Sequence, residues 1–251
     1  MTKLTALIPT GNEIHNIEAV IDSVAFADEI LVVDSFSTDG TYEKAMKKAT
    51  RVLRREFDYF SAQKNWAIPQ AKYEWILLVD ADERITPELK AEIQAILKDP
   101  NPDLVAYWIG RTNHFMGQQV HHSGWKNDKV IRLFKRDYCS YEDKKVHEEI
   151  IADGEIGSLK QKLNHNTYST FDAYVEKMNR YAWLQAQDYD KKTKVITPYH
   201  FMIKPFWGFF KHFIIQGGFR DGFVGFTIGY MQAYVVFMRY VKLWLIRKGR
   251  A

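Results

Sequence analysis

A chain of 251 residues is long enough for one generous domain or a domain with an appendage, and a composition 46% hydrophobic and 26% charged excludes a disordered protein. The net charge of +4 is mild, and no basic stripe interleaved with aromatics runs through a recognisable module, so nucleic acid is not an expected partner. A single cysteine, Cys139, leaves no internal disulfide to form, which suits a reducing compartment.

The N-terminus leads straight into a strand-like run and lacks the long apolar core of a secretory signal, so a cytoplasmic location is expected. Leu4 to Pro9 predicts a strand and Ile17 to Val24 has helical spacing. Glu29 to Asp34 is a β-branched run ended by an acid. Thr41 to Ala49 predicts a helix, Arg51 to Arg54 a strand, and Ser61 to Ala71 another helix. Trp75 to Asp80 is a second buried strand ended by an acid. Thr86-Pro87-Glu88 then opens a helix with a capping threonine and a proline in its first turn. Near-continuous apolar strands alternating with helices predict an α/β domain whose mostly parallel sheet is covered on both faces. Leu104 to Ile109, Val130 to Phe134 and Leu159 to Leu163 are shorter strand candidates between polar loops, and Phe171 to Tyr189 predicts a helix.

Ligands of such sheets bind beyond the carboxyl ends of the strands. Thr10 to Glu13, Asp34 to Thr41 and Asp80 to Glu83 all fall there, though far apart in sequence. Asp80-Ala81-Asp82 sets two carboxylates two residues apart just past a buried strand. Such oxygens suit Mg²⁺ or Mn²⁺ and a nucleotide, and Thr86 already supplies the helix cap that would otherwise explain them. Asp34 can accept hydrogen bonds from a base or ribose, whereas Asp39 caps the following helix or fixes the loop. Glu13 either meets the base or is a first-turn helix acid. Lys64, with Asn65 beside it, either complements a phosphate or is a solvated lysine. Arg132 either reaches a diphosphate or faces solvent, and Trp125 is a sugar platform or plain packing. His114, His121 and His122 match no standard zinc spacing. For His147 and His165, diphosphate or metal contact competes with a structural role.

Several segments together resemble family 2 glycosyltransferases of the GT-A fold. They are Ile8-Pro9-Thr10-x-Asn12-Glu13, Val33-Asp34-Ser35-x-Ser37-Thr38-Asp39-Gly40-Thr41, Gln63-Lys64-Asn65 and Leu78-Val79-Asp80-Ala81-Asp82-Glu83. Val130-Ile131-Arg132-Leu133-Phe134, Val146-His147-Glu148, Leu163-x-His165 and Gly217-Gly218-Phe219-x-Asp221-Gly222 are similar to the subgroup that builds lipopolysaccharide core, often as β-glucosyltransferases. Gly11 departs from the family pattern, which more often has an aromatic residue there. The resemblance implies that Pro9, Thr10, Glu13, Asp34, Lys64, Asn65, Asp80, Ala81 and Arg132 line the nucleotide-sugar site. It further implies that Asp82 and His165 hold Mg²⁺ or Mn²⁺, and that Glu148 is the catalytic base of an inverting transfer, with Glu142 and Glu149 as nearby rivals. The implied donor is UDP-glucose and the implied acceptor a glycan or lipid-linked hydroxyl. On this reading residues 1–135 form the nucleotide-sugar core, 136–197 the acceptor side of the same domain, and 198–251 a helical appendage.

That appendage is rich in aromatics, and no acid follows Asp221. Its longest uncharged run, Gly222 to Met238, has 17 residues, short for a membrane span. Arg239, Lys242, Arg247, Lys248 and Arg250 instead fit helices lying in an anionic membrane interface, with the enzyme peripheral on the cytoplasmic face of a bacterial inner membrane. Gly225-x-x-x-Gly229 allows close helix contact, within the chain or between subunits of a homo-oligomer. The rivals to a hydroxyl-directed transferase are a polyprenyl-phosphate glycosyltransferase, a sugar nucleotidyltransferase and a non-catalytic membrane-binding module. The nucleotidyltransferase would open with a glycine-rich basic loop, which residues 8–16 lack.

Overall fold

The computed structural model describes residues 2–142, 149–168 and 170–250. Its strands are β1 (Leu4–Thr10), β2 (Glu29–Asp34), β3 (Arg51–Arg54), β4 (Trp75–Leu78), β5 (Glu83–Arg84), β6 (Leu104–Phe115), β7 (Gln118–Gln119), β8 (Lys129–Lys135), β9 (Cys139–Tyr141), β10 (Ile150–Ala152) and β11 (Glu155–Tyr168). The main sheet runs β3-β2-β1-β4-β8-β6-β11-β5, with β7 hairpinned onto β6. β3, β2, β1 and β4 are parallel, and β8 joins β4 antiparallel. β9 and β10 pair separately.

Side chains along the parallel strands alternate between two cores. Leu4, Ala6, Ile8, Val32, Trp75 and Leu77 pack with Ile17 and Val20 of α1 (Ile17–Ser23), Ala45 of α2 (Thr41–Lys48) and Leu89 and Ile93 of α4 (Pro87–Lys98). Leu7, Leu31, Val33, Ile76 and Leu78 meet Ala67 of α3 (Phe60–Ala67) and the following Ile68 and Ala71. Both faces are covered, so both sets of alternate residues are mostly apolar, and the buried Thr5 and Glu29 bond to each other at 2.7 Å. Burying each Leu, Ile or Val contributes roughly 1.5–3 kcal/mol, against a few tenths for a surface helix pair, so sheet burial dominates the fold.

The helix at Thr86 begins as its sequence implies: the Thr86 side chain accepts the Leu89 N–H at 3.2 Å with Pro87 in the first turn. Other boundaries differ from the sequence reading. The helix begun near Ser61 ends at Ala67, because Pro69 has no N–H to continue it and the chain tightens into a 3₁₀ turn over Ile68–Gln70. β6 runs on past Ile109, because Gly110 makes room for the Lys162 stem, 3.1 Å from where a Cβ would sit.

The chain resolves into two compact units, one of residues 1–111 and 129–165, the other of 112–128 and 166–251. In the second, Thr170 caps α5 (Phe171–Lys192), whose stripe of Tyr174, Met178 and Ala182 packs with Ile228, Met231 and Val235 of α7 (Gly222–Arg247). Helix α6 (Pro198–Phe210) and a π-helical turn over Lys211–Ile215 also pack on α7. A Cβ on Gly225 would lie 1.8 Å from the Gly218 carbonyl oxygen, so no side chain fits there. Gly229 abuts Phe209 and Phe213. The Gly-x-x-x-Gly face therefore packs against its own chain. Among the described residues no helix is long and apolar enough to cross a membrane.

Candidate functional site

Strand register fixes where the polar strand ends meet. Thr10 of β1 pairs with Asp34 of β2, beside Pro9 with Val33. On the other side of β1, Leu7 pairs with Leu78 and its carbonyl accepts the Val79 N–H at 3.0 Å, which sets Asp80 just beyond. Asp34 is fully buried. Its Oδ2 accepts the Ser37 N–H at 3.1 Å and lies 3.4 Å from Arg54 Nε. Asp34 Oδ1 and Thr10 Oγ1 are buried with no hydrogen-bond partner among the described residues.

The loops after β1 and β2 are stitched together. Asn12 N–H donates to Ser37 Oγ (2.8 Å), Thr38 N–H to Asn12 Oδ1 (2.9 Å), Glu13 N–H to Thr41 Oγ1 (2.8 Å) and Ile14 N–H to Asp39 Oδ2 (3.0 Å). Asp39 Oδ1 also accepts the Thr41 N–H and hydroxyl, so Asp39 fixes the loop. Burial alone would raise its pKa, but the hydrogen bonds from Thr41 and Ile14 hold it below the ordinary range. Gly40 turns the chain into α2 at φ +95°, a conformation costly for other residues.

The end of β4 holds a knot of buried charge. The Arg132 guanidinium donates to Asp80 Oδ2 and to Glu83 Oε1, the latter at 2.8 Å. Glu83 Oε2 accepts the Asp80 N–H at 3.1 Å, Arg111 lies 3.6 Å from Glu83, and Lys64 Nζ lies 3.7 Å from Asp80 Oδ1. Arg132 and Lys64 are both buried, so the solvent-facing alternatives for these two are corrected: each stays inside because carboxylates from another strand end compensate it. Burial pushes the Asp80 pKa up, but Arg132, Lys64, His165 and Arg111 together hold it well below the usual carboxylate range. Tyr141 closes the knot, accepting from Arg132 at 3.4 Å and lying under Lys64, 4.9 Å from its ring centroid. Asn65 spends both ends of its amide on the Tyr141 backbone, at 2.9 and 2.7 Å, and so positions that strand. The Ala81 carbonyl accepts from Arg84, which also reaches Asn16 Oδ1 at 2.9 Å and ties the acidic loop to the start of α1.

Asp82 stands at the outer side of this knot. β5 pairs with β11 so that His165 faces Glu83, and His165 Nε2 comes 3.4 Å from Asp82 Oδ2. Glu13 accepts from Asn16 Nδ2 at 2.7 Å, and its pKa is raised by burial with a further push from the Asp82 charge. Glu148 and His147 lie outside the described residues. Among the described residues no three His, Cys, Asp or Glu side chains converge as a metal set. The Asp82–His165 pair still fits a divalent ion at a nucleotide. It joins a carboxylate oxygen to an imidazole nitrogen, both partly exposed at 27% and 13%, and Mn²⁺ or Mg²⁺ at such sites takes its remaining ligands from phosphate and water.

Sequence reasoning placed Glu83 at the strand edge without giving it a role, and passed over Arg111, Arg54 and Tyr141 as site builders. Glu83 adjoins the acidic pair and was visible. The others come from strands whose neighbours only the folded sheet reveals. Trp125 is half-buried and packs on Phe115, centroids 6.4 Å apart, in the second unit. There Asp221 accepts the backbone N–H groups of His121 and His122 and the Ser123 hydroxyl, and meets the His122 ring at 3.2 Å.

Comparison with known proteins identifies the family and the fold. The model of the family "Glycosyl transferase family 2" matches residues 5–223. A glycosyltransferase of Rickettsia felis is 31% identical over 97% of this chain and 90% of its own length. The lipopolysaccharide core biosynthesis glycosyltransferase LpsC of Rhizobium meliloti is 26% identical, over 96% of this chain and 92% of its own. Among solved structures, the mannosyltransferase PcManGT of Pyrobaculum calidifontis, in complex with GDP-Man and Mn²⁺, shares the fold. Its TM-score is 0.55 at 17% identity, over 98% of this chain and 88% of that one.

Proposed function

The chain belongs to glycosyltransferase family 2, and from that premise we propose that it is an inverting hexosyltransferase moving glucose from UDP-glucose to a hydroxyl of a glycan or lipid-linked acceptor. The observation that carries the reading is the strand register. Asp34, with its unpartnered buried oxygen, and the Asp80–Asp82 pair end parallel strands on either side of β1. Two strand spacings separate them by about 10 Å, the reach from a nucleoside to its diphosphate. The match to LpsC supports a lipopolysaccharide core acceptor.

In this reading Asp34 Oδ1 and Thr10 Oγ1 take the nucleoside, with Glu13 beside them and the Pro9 and Ala81 backbone as walls. Asp80, held ionised by Arg132 and Lys64, accepts from the ribose. Asp82 and His165 hold the divalent ion. An imidazole ligand favours Mn²⁺ over the oxygen-demanding Mg²⁺. When bound, the ion acts as a Lewis acid that neutralises the departing diphosphate. Glu148 takes the acceptor hydroxyl proton as the oxygen attacks the anomeric carbon, and a single displacement inverts that centre.

The second unit supports a membrane-bound acceptor. Met202, Phe206, Trp207, Ile215, Phe223 and Tyr230 are each more than half exposed on α6, the π turn and α7. Asp221, the single acid of residues 198–251, is buried, and Lys and Arg alone carry the remaining charge. Exposed apolar rings on a segment whose own surface charge is cationic, with Arg247 turned to Asp190 of α5, fit an anionic lipid interface. The test of the donor site is calorimetry of nucleotide sugars with and without Mn²⁺. UDP-glucose binding that requires Mn²⁺ is expected, and the absence of nucleotide binding under both conditions would reject the proposal.

A further inference from the structure

We propose that Phe36 is the stacking platform for the donor base, a deepening that rests on the nucleotide-sugar reading above. Phe36 follows the β2 terminus by two residues and holds φ at +56°, a left-handed conformation that costs a bulky side chain free energy. It is also 49% exposed and outside both sheet cores. Neither local conformation nor burial explains a large aromatic residue here, so the explanation belongs to something that binds.

Three neighbours say what binds. Arg54 links Phe36 to Asp34: its Cζ lies 5.2 Å from the Phe36 ring centroid and 3.8 Å from that of Tyr42, and its Nε lies 3.4 Å from Asp34 Oδ2. Asp34 Oδ1 is a buried acceptor with no donor among the described residues. Gly11, at the tip of β1, contributes no side chain, and a Cβ there would meet only Ser35, at 3.3 Å. The loops thus offer an aromatic face, a carboxylate oxygen seeking one N–H, and a guanidinium beside it. A flat heterocycle with a ring N–H flanked by carbonyls matches all three. Uracil is such a ring, with N3–H for Asp34, a carbonyl for Arg54 and a π face for Phe36. Arg54 braces the phenyl ring by cation–π contact.

The test titrates UDP, and separately pyrophosphate, into the Mn²⁺-loaded full chain and into Phe36→Gly, Phe36→Asn and Phe36→Tyr. Gly and Asn accept the left-handed backbone but remove the ring. Both are expected to weaken UDP about tenfold, roughly 1.4 kcal/mol, in the range of one base–aromatic stack. Pyrophosphate affinity stays unchanged, the ligand-free melting temperature does not fall, and Phe36→Tyr binds UDP within about twofold of the parent. UDP affinity preserved in the Gly and Asn variants overturns the platform while leaving the donor site standing. An equal loss of pyrophosphate affinity overturns it in favour of a general distortion. A parent protein that binds no nucleoside diphosphate overturns the donor reading and the platform with it.

Discussion

The first unit buries charge, and the second exposes hydrocarbon. At the end of β4, Arg132, Lys64, Asp80 and Glu83 sit in a tight ionic cluster, while α6 and α7 turn Phe206, Trp207 and Phe223 outward. Each arrangement is unfavourable alone: buried ions lose hydration that their mutual attraction only partly offsets, and exposed rings order water. On the function proposed above, an anionic diphosphate would relieve the first and a lipid interface the second. Where a protein violates the usual partition of polar and apolar groups, the violation indicates the chemistry of what it binds.

The sharpest way to break the first half of this comparison is Asp82→Ala. Mn²⁺-dependent UDP-glucose binding and transfer are expected to fall at least about a thousandfold, in line with losing a metal-held diphosphate, with an unchanged melting curve because Asp82 is peripheral to the buried cluster. Normal turnover in that variant would remove the ion from this position. Glu148→Gln separates binding from chemistry: donor affinity should hold while transfer drops on the order of 10²–10⁴-fold, the range of a general base. Undiminished transfer would move the base elsewhere. Arg132→Leu strips the ionic cluster of its centre, and denaturant unfolding should register a loss of about 3–5 kcal/mol. A loss below about 1 kcal/mol would mean the cluster is solvated rather than buried.

For the second unit, Phe206→Ser, Trp207→Ser and Phe223→Ser should each weaken sedimentation with phosphatidylglycerol vesicles about tenfold or more, and leave the melting temperature unchanged. A fall in melting temperature without a change in vesicle binding would make these rings core. The smallest expected effect is at His212, whose pKa is lowered by burial and by Lys211, against a bond to the Ser123 carbonyl. A folded-state pKa depressed below 6.5 means the unfolded chain binds the proton more readily. Its contribution is therefore complete above pH 6.5 and is lost as pH falls through the lower folded value. Parent and His212→Gln melting temperatures, compared from pH 7.5 down to 5, should diverge in that window.

Much of the first unit was legible because its signals are local. Glu29 to Asp34 reads as a buried strand whose end is acidic, and the strand has those bounds. Thr86 and Pro87 announce a helix start that depends on nothing distant. The role of Arg132 was not legible, since alternation along one strand cannot reveal that Asp80 and Glu83, about fifty positions earlier, compensate its charge. Asn65 likewise resembled a ligand contact by its place in a motif, and its partner is the backbone of Tyr141. In the appendage, α7 continues past Arg239 to Arg247, where Tyr240 and Leu243 are buried with Ala186 of α5 and Gln185 accepts the Arg239 guanidinium at 2.9 Å.

The four bonds that lace Asn12, Glu13 and Ile14 to Ser37, Thr38, Asp39 and Thr41 have a thermodynamic corollary. On the proposed function a nucleoside would meet two loops already bonded to each other, so little of its affinity would be consumed in ordering them. The heat-capacity change on UDP binding should then match the area of the ligand alone, without the larger negative value that accompanies a segment folding around its guest.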